Sequence, residues 1–431
     1  SPMTEMTTSG WHPPLWHPFT QPGRGPAPIP VRRGQGVWLA LDDGRRLIDG
    51  ISSWWVTLHG HGEPCIAEAI GHQAKELEQV IFANFRHGPA STLSTRLCGK
   101  WDGLDRMFFS DNGSTAGEVA WEMAWQHCQR EAPERQRGVA FDGAYHGDTF
   151  GAMALGERGL FSAPFEPLLF AVARAPWPST WWGDGEIEQK EAQALQRLDE
   201  LLQTPTAAVI FEPLLQGAGG MAMVRETFLQ AVEQRAHAAG ALVIADEVLT
   251  GFGRSGSLFA CHRAGIAPDI VSLSKGLTAG FLPMGVTLAS EALYQSFVGP
   301  EPDRTFFHGH SFTANPLGCA AAVASLELLE REPQRYTSIE ARHRPHLEHL
   351  AEHRLVTKPR LLGGIAAFEL PGDSGYLQPI GLEVQRLALE QGLFIRPLGS
   401  VVYLMPPLGI NDGELAQCYA SLQAVLDALP L

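Results

Sequence analysis

"ALVIADE" (residues 241–247) and "DIVSLSKG" (269–276) are two apolar runs, and each ends on a group that apolar surroundings disfavour: Asp246 on the first, Lys275 on the second. Near-continuous apolar runs of this length suit strands buried on both faces, as in a parallel sheet covered by helices. Outward from this pair, "RMFFS" (106–110), "GVAF" (138–141), "AAVIFEP" (207–213) and "MGVTLAS" (284–290) have the same character. Stretches with helical spacing, such as "CIAEAIGHQAKELEQV" (65–80) and "GEVAWEMAWQHCQRE" (117–131), lie among them. The alternation predicts an α/β fold with a doubly wound, mainly parallel sheet. Ligands of such sheets collect at the carboxyl ends of strands. Glu212, Asp246 and Lys275 all stand at strand ends, so they are expected to face one crevice.

The two chain ends read differently. Residues 10–36, rich in Pro, Gly and Trp, read as an extended arm, and "GVWLALDDGRRLIDG" (36–50) as a hairpin around Asp43-Gly44. After the long helix of "NPLGCAAAVASLELLE" (315–330), the runs "GGIAAFEL", "LFIRPL" and "VVYLMPPL" look like strands of a smaller α+β unit. The expected division is an arm with part of a small domain over 1–60, a large domain over 61–320, and the rest of the small domain over 321–431.

A net charge of −15 over 431 residues argues against nucleic acid or an anionic membrane as the main partner. No apolar stretch reaches the roughly 20 residues of a membrane helix. "SPMTEMTTSG" has neither the basic nor the apolar region of a secretory signal, and the six scattered cysteines form no CxxC pair. The expectation is a cytoplasmic enzyme with free thiols.

Only five of the basic residues are lysines, against 27 arginines, so a lysine placed after an apolar strand is informative. A partly buried lysine can become a neutral, nucleophilic amine, whereas arginine keeps its proton. A lone buried aspartate needs a cation or a hydrogen-bond donor, unless Asp246 serves only as a helix cap. A Schiff-base lysine with a carboxylate that keeps a pyridine nitrogen protonated is what pyridoxal phosphate chemistry requires. "SDNGSTAGEVA" (110–120) offers Gly113 and Ser114 at a helix N-terminus for a phosphate. "GAYHGDTFGAM" (143–153) offers Tyr145 as a ring platform, although a turn aromatic would look the same. In "HGHSFTANPLG" (308–318), His308 and His310 lack a third ligand at plausible spacing, so no metal is expected.

"IADEVLTGFGRSG" followed by "APDIVSLSKGLTAGFLPMG" resembles the class III aminotransferases of the fold type I pyridoxal phosphate enzymes, and the likeness runs through nearly the whole chain. Within that class, "WHPFT" (16–20), "ISSWWVTLHGH" (51–61), "EPLLQGAGGM" (212–221) and "LFIRPLGSVVYLMPPL" (393–408) are similar to the branch that aminates 8-amino-7-oxononanoate in biotin synthesis. The resemblance implies a homodimer with shared active sites. It assigns Lys275 to the cofactor's aldehyde, Asp246 to its ring nitrogen and Tyr145 to its ring face. Gly113 and Ser114 take the phosphate, joined by Ser311 from the neighbouring subunit. Arg396 takes the carboxylate of the keto acid, with Trp54, Trp55 and Phe19 along its aliphatic arm. Arg254 and Asp148 match motif positions; Arg254 is counted, with Tyr145 and His310 at the substrate mouth, among the substrate-binding residues. Members that use S-adenosylmethionine as amino donor typically have Tyr in WHPYT and Pro-Thr in HGPTF. Here Phe19, His310 and Ser311 look more like members that use lysine, so either donor is open.

Two rivals remain at this stage. One is a class III ω-aminotransferase acting on ornithine, 4-aminobutyrate or another diamine. The other is a dinucleotide-dependent dehydrogenase, since "GAGGMA" (217–222) fits G-x-G-x-x-A, although its glycines trail the strand by several residues.

Overall fold

The structure, a computed structural model, describes residues 14–372 and 379–431. The first thirteen residues of the chain, where the expected arm begins, lie outside that range. At the centre is a seven-stranded sheet in the order Arg106–Ser110, Gly285–Ala289, Ile270–Leu273, Leu242–Asp246, Ala208–Phe211, Gly138–Phe141, Ala173–Ala175. Only Gly285–Ala289 runs against its neighbours, and the remaining pairings are parallel. The six apolar runs read as strands therefore all belong to this sheet. Ala173–Ala175, a three-residue edge strand containing Arg174, is too short and polar to announce itself.

Every residue of Gly138–Phe141, Ala208–Phe211 and Ile270–Leu273 is buried, as two-sided coverage demands. Each fully buried large aliphatic or aromatic side chain contributes about 1.5–3 kcal/mol of transfer free energy. The helix Gly113–Glu131 packs so closely on the sheet that Ser272 Oγ and Thr287 Oγ1 both donate to its Ala116 carbonyl, at 3.1 and 2.9 Å. Two hydroxyls that would be costly in a core are thereby satisfied by the helix covering them.

The hairpin forms as expected, with Trp38–Leu41 antiparallel to Arg46–Asp49. Residues Val31–Gln35, read as part of an irregular arm, add a third strand to it. Their Val-Arg-Arg-Gly-Gln sequence is exposed or half-buried and so has no apolar alternation to reveal it. On the other side, Leu393–Phe394 joins Arg46–Asp49 in parallel, so a C-terminal strand completes an N-terminal sheet. A Cβ on Gly50 would lie 2.8 Å from the Phe394 carbonyl oxygen, which explains a glycine at this seam. The strands Thr357–Leu362, Ile365–Glu369 and Val401–Leu404 form a separate antiparallel sheet. The smaller α+β part is thus built from both chain ends, and the seam carries residues 394–398 up to residues 50–55.

Candidate active site

Strand register brings the three chemical groups together. Ala245 pairs with Phe211 and Asp246 with Ser272, so Glu212, Asp246 and Lys275 leave adjacent strands at one edge. Asp246 Oδ2 accepts from His146 Nδ1 at 2.7 Å, and Oδ1 accepts from the Val248 N–H at 3.0 Å. Glu212 accepts from the Tyr145 and Gly217 N–H groups at 3.2 and 3.3 Å. Burial pushes the Glu212 carboxyl up to about 8, against the pull of His146 and of those two donors.

Lys275 holds a backbone φ of 36°, in the left-handed region where a non-glycine residue is strained by about 1–3 kcal/mol. The strain belongs to the abrupt change from strand to the short 3₁₀ turn Lys275–Thr278, which lifts the amine out of the sheet. Burial lowers the Lys275 pKa, while Asp246, Glu212 and Asp148 oppose that shift. The half-buried setting therefore favours the free amine that a nucleophile or base needs. Its Nζ lies 5.5 Å from the centroid of the Trp55 ring.

At the far side, Gly113 and Ser114 open the helix Gly113–Glu131 behind an Asn112 capping box. The cap occupies the Thr115 N–H, and the first N–H groups of a helix have no partners within it. Gly147, at φ 134°, crosses so near that a Cβ there would fall 2.2 Å from Ser114 Oγ. Ser114 Oγ in turn lies 2.6 Å from Thr149 Oγ1. Glycine clears space around a hydroxyl-bearing helix N-terminus, as a phosphate cradle requires. With an amine of lowered pKa, a buried carboxylate and Tyr145 next to Glu212, the residues present fit pyridoxal phosphate.

The wall beside Lys275 is strained too. Ser52, Ser53 and Trp55 have φ of 53°, 62° and 66°. Asp49 holds this loop: its Oδ2 accepts from the Ser53 N–H, the Ser53 hydroxyl and His61 Nε2 at 2.7, 2.9 and 2.8 Å. Ser52 Oγ adds a bond to the Met405 carbonyl at 2.6 Å. The loop presents Trp55 inward, where its Nε1 donates to Tyr403 Oη at 2.9 Å, and Trp54 outward. Arg396 lies with Cζ 4.9 Å over the Trp54 ring. Phe19 meets Trp54 edge-on at 5.5 Å and Phe161 at 5.6 Å. Phe19 and Arg396 thus cluster on Trp54, next in the chain to Trp55, which faces Lys275.

Arg254 is placed differently from a substrate ligand. It is fully buried, with Nη1 and Nη2 donating to the Pro406 and Thr57 carbonyls at 3.2 and 3.3 Å, and burial brings it down to about 10. It ties together backbone segments beneath the tryptophan loop. A cavity of about 590 Å³ opens beside Tyr145 and Asp148, lined also by Glu157, Phe161, Trp181 and Leu398. It borders the Lys275 centre through Tyr145 and Asp148 without lying over the amine. Ser311 is exposed and has no hydrogen bond to the cluster among the described residues, while His310 stays with its own turn through Thr313.

"GAGGMA" turns between the short antiparallel strands Leu215–Gln216 and Ala222–Met223. A dinucleotide fingerprint needs a turn from strand into helix, so this is a hairpin and the dehydrogenase reading fails. Sequence reasoning passed over His146 and Asp49. His146 follows Tyr145 in the motif and carried no separate signal. Asp49 could have been suspected, as an acidic residue ending the apolar strand "LID".

An amine and a carboxylate at adjacent strand ends, a helix N-terminus for phosphate and a fold type I sheet together define a pyridoxal phosphate-dependent transferase. The family model for aminotransferase class-III matches residues 19–426, and the chain belongs to that family. It is 56% identical to adenosylmethionine-8-amino-7-oxononanoate aminotransferase of Synechococcus elongatus, covering 97% of this chain and 99% of the relative. The enzyme of the same name from Geobacter sulfurreducens is 39% identical over 93% of each chain. Among solved structures, the Methanocaldococcus jannaschii enzyme of that name superposes with a TM-score of 0.89 at 31% identity, over 97% of this chain and 98% of the other. A PLP-bound amine transaminase from an uncultivated Pseudomonas species gives 0.90 at 28% identity, over 97% and 99%.

Proposed function

We propose that the protein transfers an amino group to the C7 carbonyl of 8-amino-7-oxononanoate, giving 7,8-diaminononanoate, in biotin synthesis. The observation that carries the reaction type is Lys275, a strained, half-buried residue whose amine feels the Asp246 carboxylate. The near-full-length likeness to the Synechococcus elongatus enzyme supports the choice of substrate. Pyridoxal phosphate, when bound, supplies the aldehyde that takes up the amino group and the ring that absorbs the electrons of the broken C–H bond.

The chain's own residues do the rest. Lys275 would hold the cofactor and, once displaced by the donor's amine, move a proton from the donor's α-carbon through Nζ. Asp246 keeps the ring nitrogen protonated, Tyr145 backs the ring, and Gly113 and Ser114 hold the phosphate. Arg396 grips the keto acid's carboxylate through paired charge-assisted hydrogen bonds, and Trp54, Trp55 and Phe19 exclude water from its aliphatic arm. The protein acts as a homodimer in which Ser311 of each subunit completes the other's phosphate site. Exposed Phe307 and Phe312 flanking that residue support an interface there. Six free cysteines support a reducing, cytoplasmic setting, and among the described residues no helix is long and apolar enough to cross a membrane.

The test is direct: incubate the purified protein with pyridoxal phosphate, 8-amino-7-oxononanoate and either donor, and look for 7,8-diaminononanoate by mass spectrometry. Turnover of ornithine or 4-aminobutyrate with none of 8-amino-7-oxononanoate would replace this substrate with the ω-aminotransferase reading.

A further inference from the structure

Glu118 is half-buried and stands four residues after Ser114 in the helix Gly113–Glu131, so the two share a helix face. Its Oε1 accepts from the Thr149 hydroxyl at 2.6 Å and from the Ala152 N–H at 2.8 Å. Thr149 is the N-cap of the short helix Phe150–Leu155, where a threonine hydroxyl ordinarily accepts from an N–H of its own first turn. Here it makes no such bond, and Glu118 takes the Ala152 N–H instead. Capping alone would be served by Thr149, so the carboxylate has a further effect, and counting protons shows it. A carboxylate accepts, so the single proton of Thr149 Oγ1 is spent on Glu118. The 2.6 Å contact between Ser114 Oγ and Thr149 Oγ1 then has Ser114 as its only donor. The Thr149 N–H returns a bond to Ser114 Oγ at 3.1 Å. The hydroxyl chain therefore runs one way, from Ser114 through Thr149 to Glu118.

We propose that Glu118 is a positioning residue: by holding the Thr149 proton it makes Ser114 the one hydroxyl of this pair that donates to the cofactor's phosphate. This rests on the assignment of Gly113 and Ser114 to the phosphate made above. A phosphate oxygen accepts and needs a donor. Ser114 can turn its proton to that oxygen by exchanging one neutral hydrogen bond for a charge-assisted one. Thr149 can do so only by stripping the Glu118 carboxylate of a donor, which is the costlier loss.

Equilibrium dialysis of the apoproteins against pyridoxal phosphate, and against pyridoxal, isolates the phosphate contact. Ser114→Ala should bind pyridoxal phosphate at least about tenfold more weakly, the size of a lost hydrogen bond to a charged group, and pyridoxal within about threefold of the parent. Thr149→Val keeps the branched shape without the hydroxyl, and should hold pyridoxal phosphate within about threefold of the parent. Glu118→Leu frees the Thr149 proton. In that background Ser114→Ala should cost less than about threefold, because Thr149 can now donate in its place. Glu118→Gln keeps an acceptor oxygen for Thr149 and Ala152, and should preserve the full cost of Ser114→Ala. Three results overturn the proposal: no cost for Ser114→Ala, an equal cost for Thr149→Val, or an undiminished cost of Ser114→Ala beside Glu118→Leu. Ser114→Ala and Thr149→Val are small changes, so their comparison decides the matter even if Glu118→Leu fails to fold. If the unsubstituted protein does not bind pyridoxal phosphate at Lys275, the reading of the whole site falls; if it binds and Ser114→Ala and Thr149→Val weaken it equally, only the role of Glu118 falls.

Discussion

Asp246 is buried and held by two donors, so its carboxylate is placed to receive a cation at the ring nitrogen. Asp246→Asn keeps the shape and removes that charge. Cofactor should still bind, while single-turnover transamination should slow by two orders of magnitude or more, about 3 kcal/mol of barrier. Near-normal single-turnover rates would contradict the role. The contribution proposed for Arg396 is of the opposite kind, acting on binding. Arg396→Ala should raise KM for 8-amino-7-oxononanoate by the equivalent of about 2–3 kcal/mol and hardly affect a ketone without a carboxylate. Equal losses on both substrates would assign Arg396 to structure. Of these residues, Asp246 and Lys275 are legible in the sequence because a charge at the end of a buried strand contradicts its surroundings. His146 is not, because its meaning depends on a contact with a residue 100 positions away.

The element proposed to set the substrate wall is the loop Ser52–Trp55, whose positive φ values store strain against the hydrogen bonds of Asp49. Burial opposes ionisation of Asp49, yet the bonds from His61 and Ser53 outweigh it and hold its pKa below the ordinary carboxylate value. A depressed carboxylate contributes stability that is complete above about pH 4, the unfolded value, and lost as pH falls through the lower folded one. Asp49→Ala leaves the Ser53 N–H and hydroxyl without their acceptor, at a cost of about 1–3 kcal/mol. It should lower the melting temperature and raise KM for the keto acid, while borohydride still fixes the cofactor to Lys275. Unchanged KM with a lowered melting temperature would show that the loop keeps its shape without Asp49. The buried strands and long helices around this loop follow from apolar spacing. The loop itself does not, since three non-glycine residues at positive φ go against local preference and are imposed by tertiary contacts. The strand Val31–Gln35 is hidden for the same reason: its place comes from pairing with Trp38–Leu41, with little burial of its own.

The molecule as a whole joins the sheet edge that carries Asp246 and Lys275 to a seam of both chain ends, proposed as the substrate wall. Cofactor chemistry and substrate choice are therefore separable, and the donor question belongs to the second. The relatives' name carries adenosylmethionine, while the sequence reading of Phe19, His310 and Ser311 leaves lysine open as donor. We expect lysine to be a competent donor in the first half-reaction. Each donor is mixed alone with the cofactor-loaded enzyme, and loss of the visible band of the lysine-bound cofactor is followed. If only S-adenosylmethionine removes the band, the lysine expectation is wrong and the motif changes do not set the donor. Beneath both donors lies the claim that Lys275 is the amine that holds pyridoxal phosphate. Borohydride reduction of the loaded protein, followed by peptide mapping, tests it most directly. The pyridoxyl group should be found on Lys275, and Lys275→Arg should fold, take no label and carry out no transamination; a label on any of the other four lysines would contradict the account.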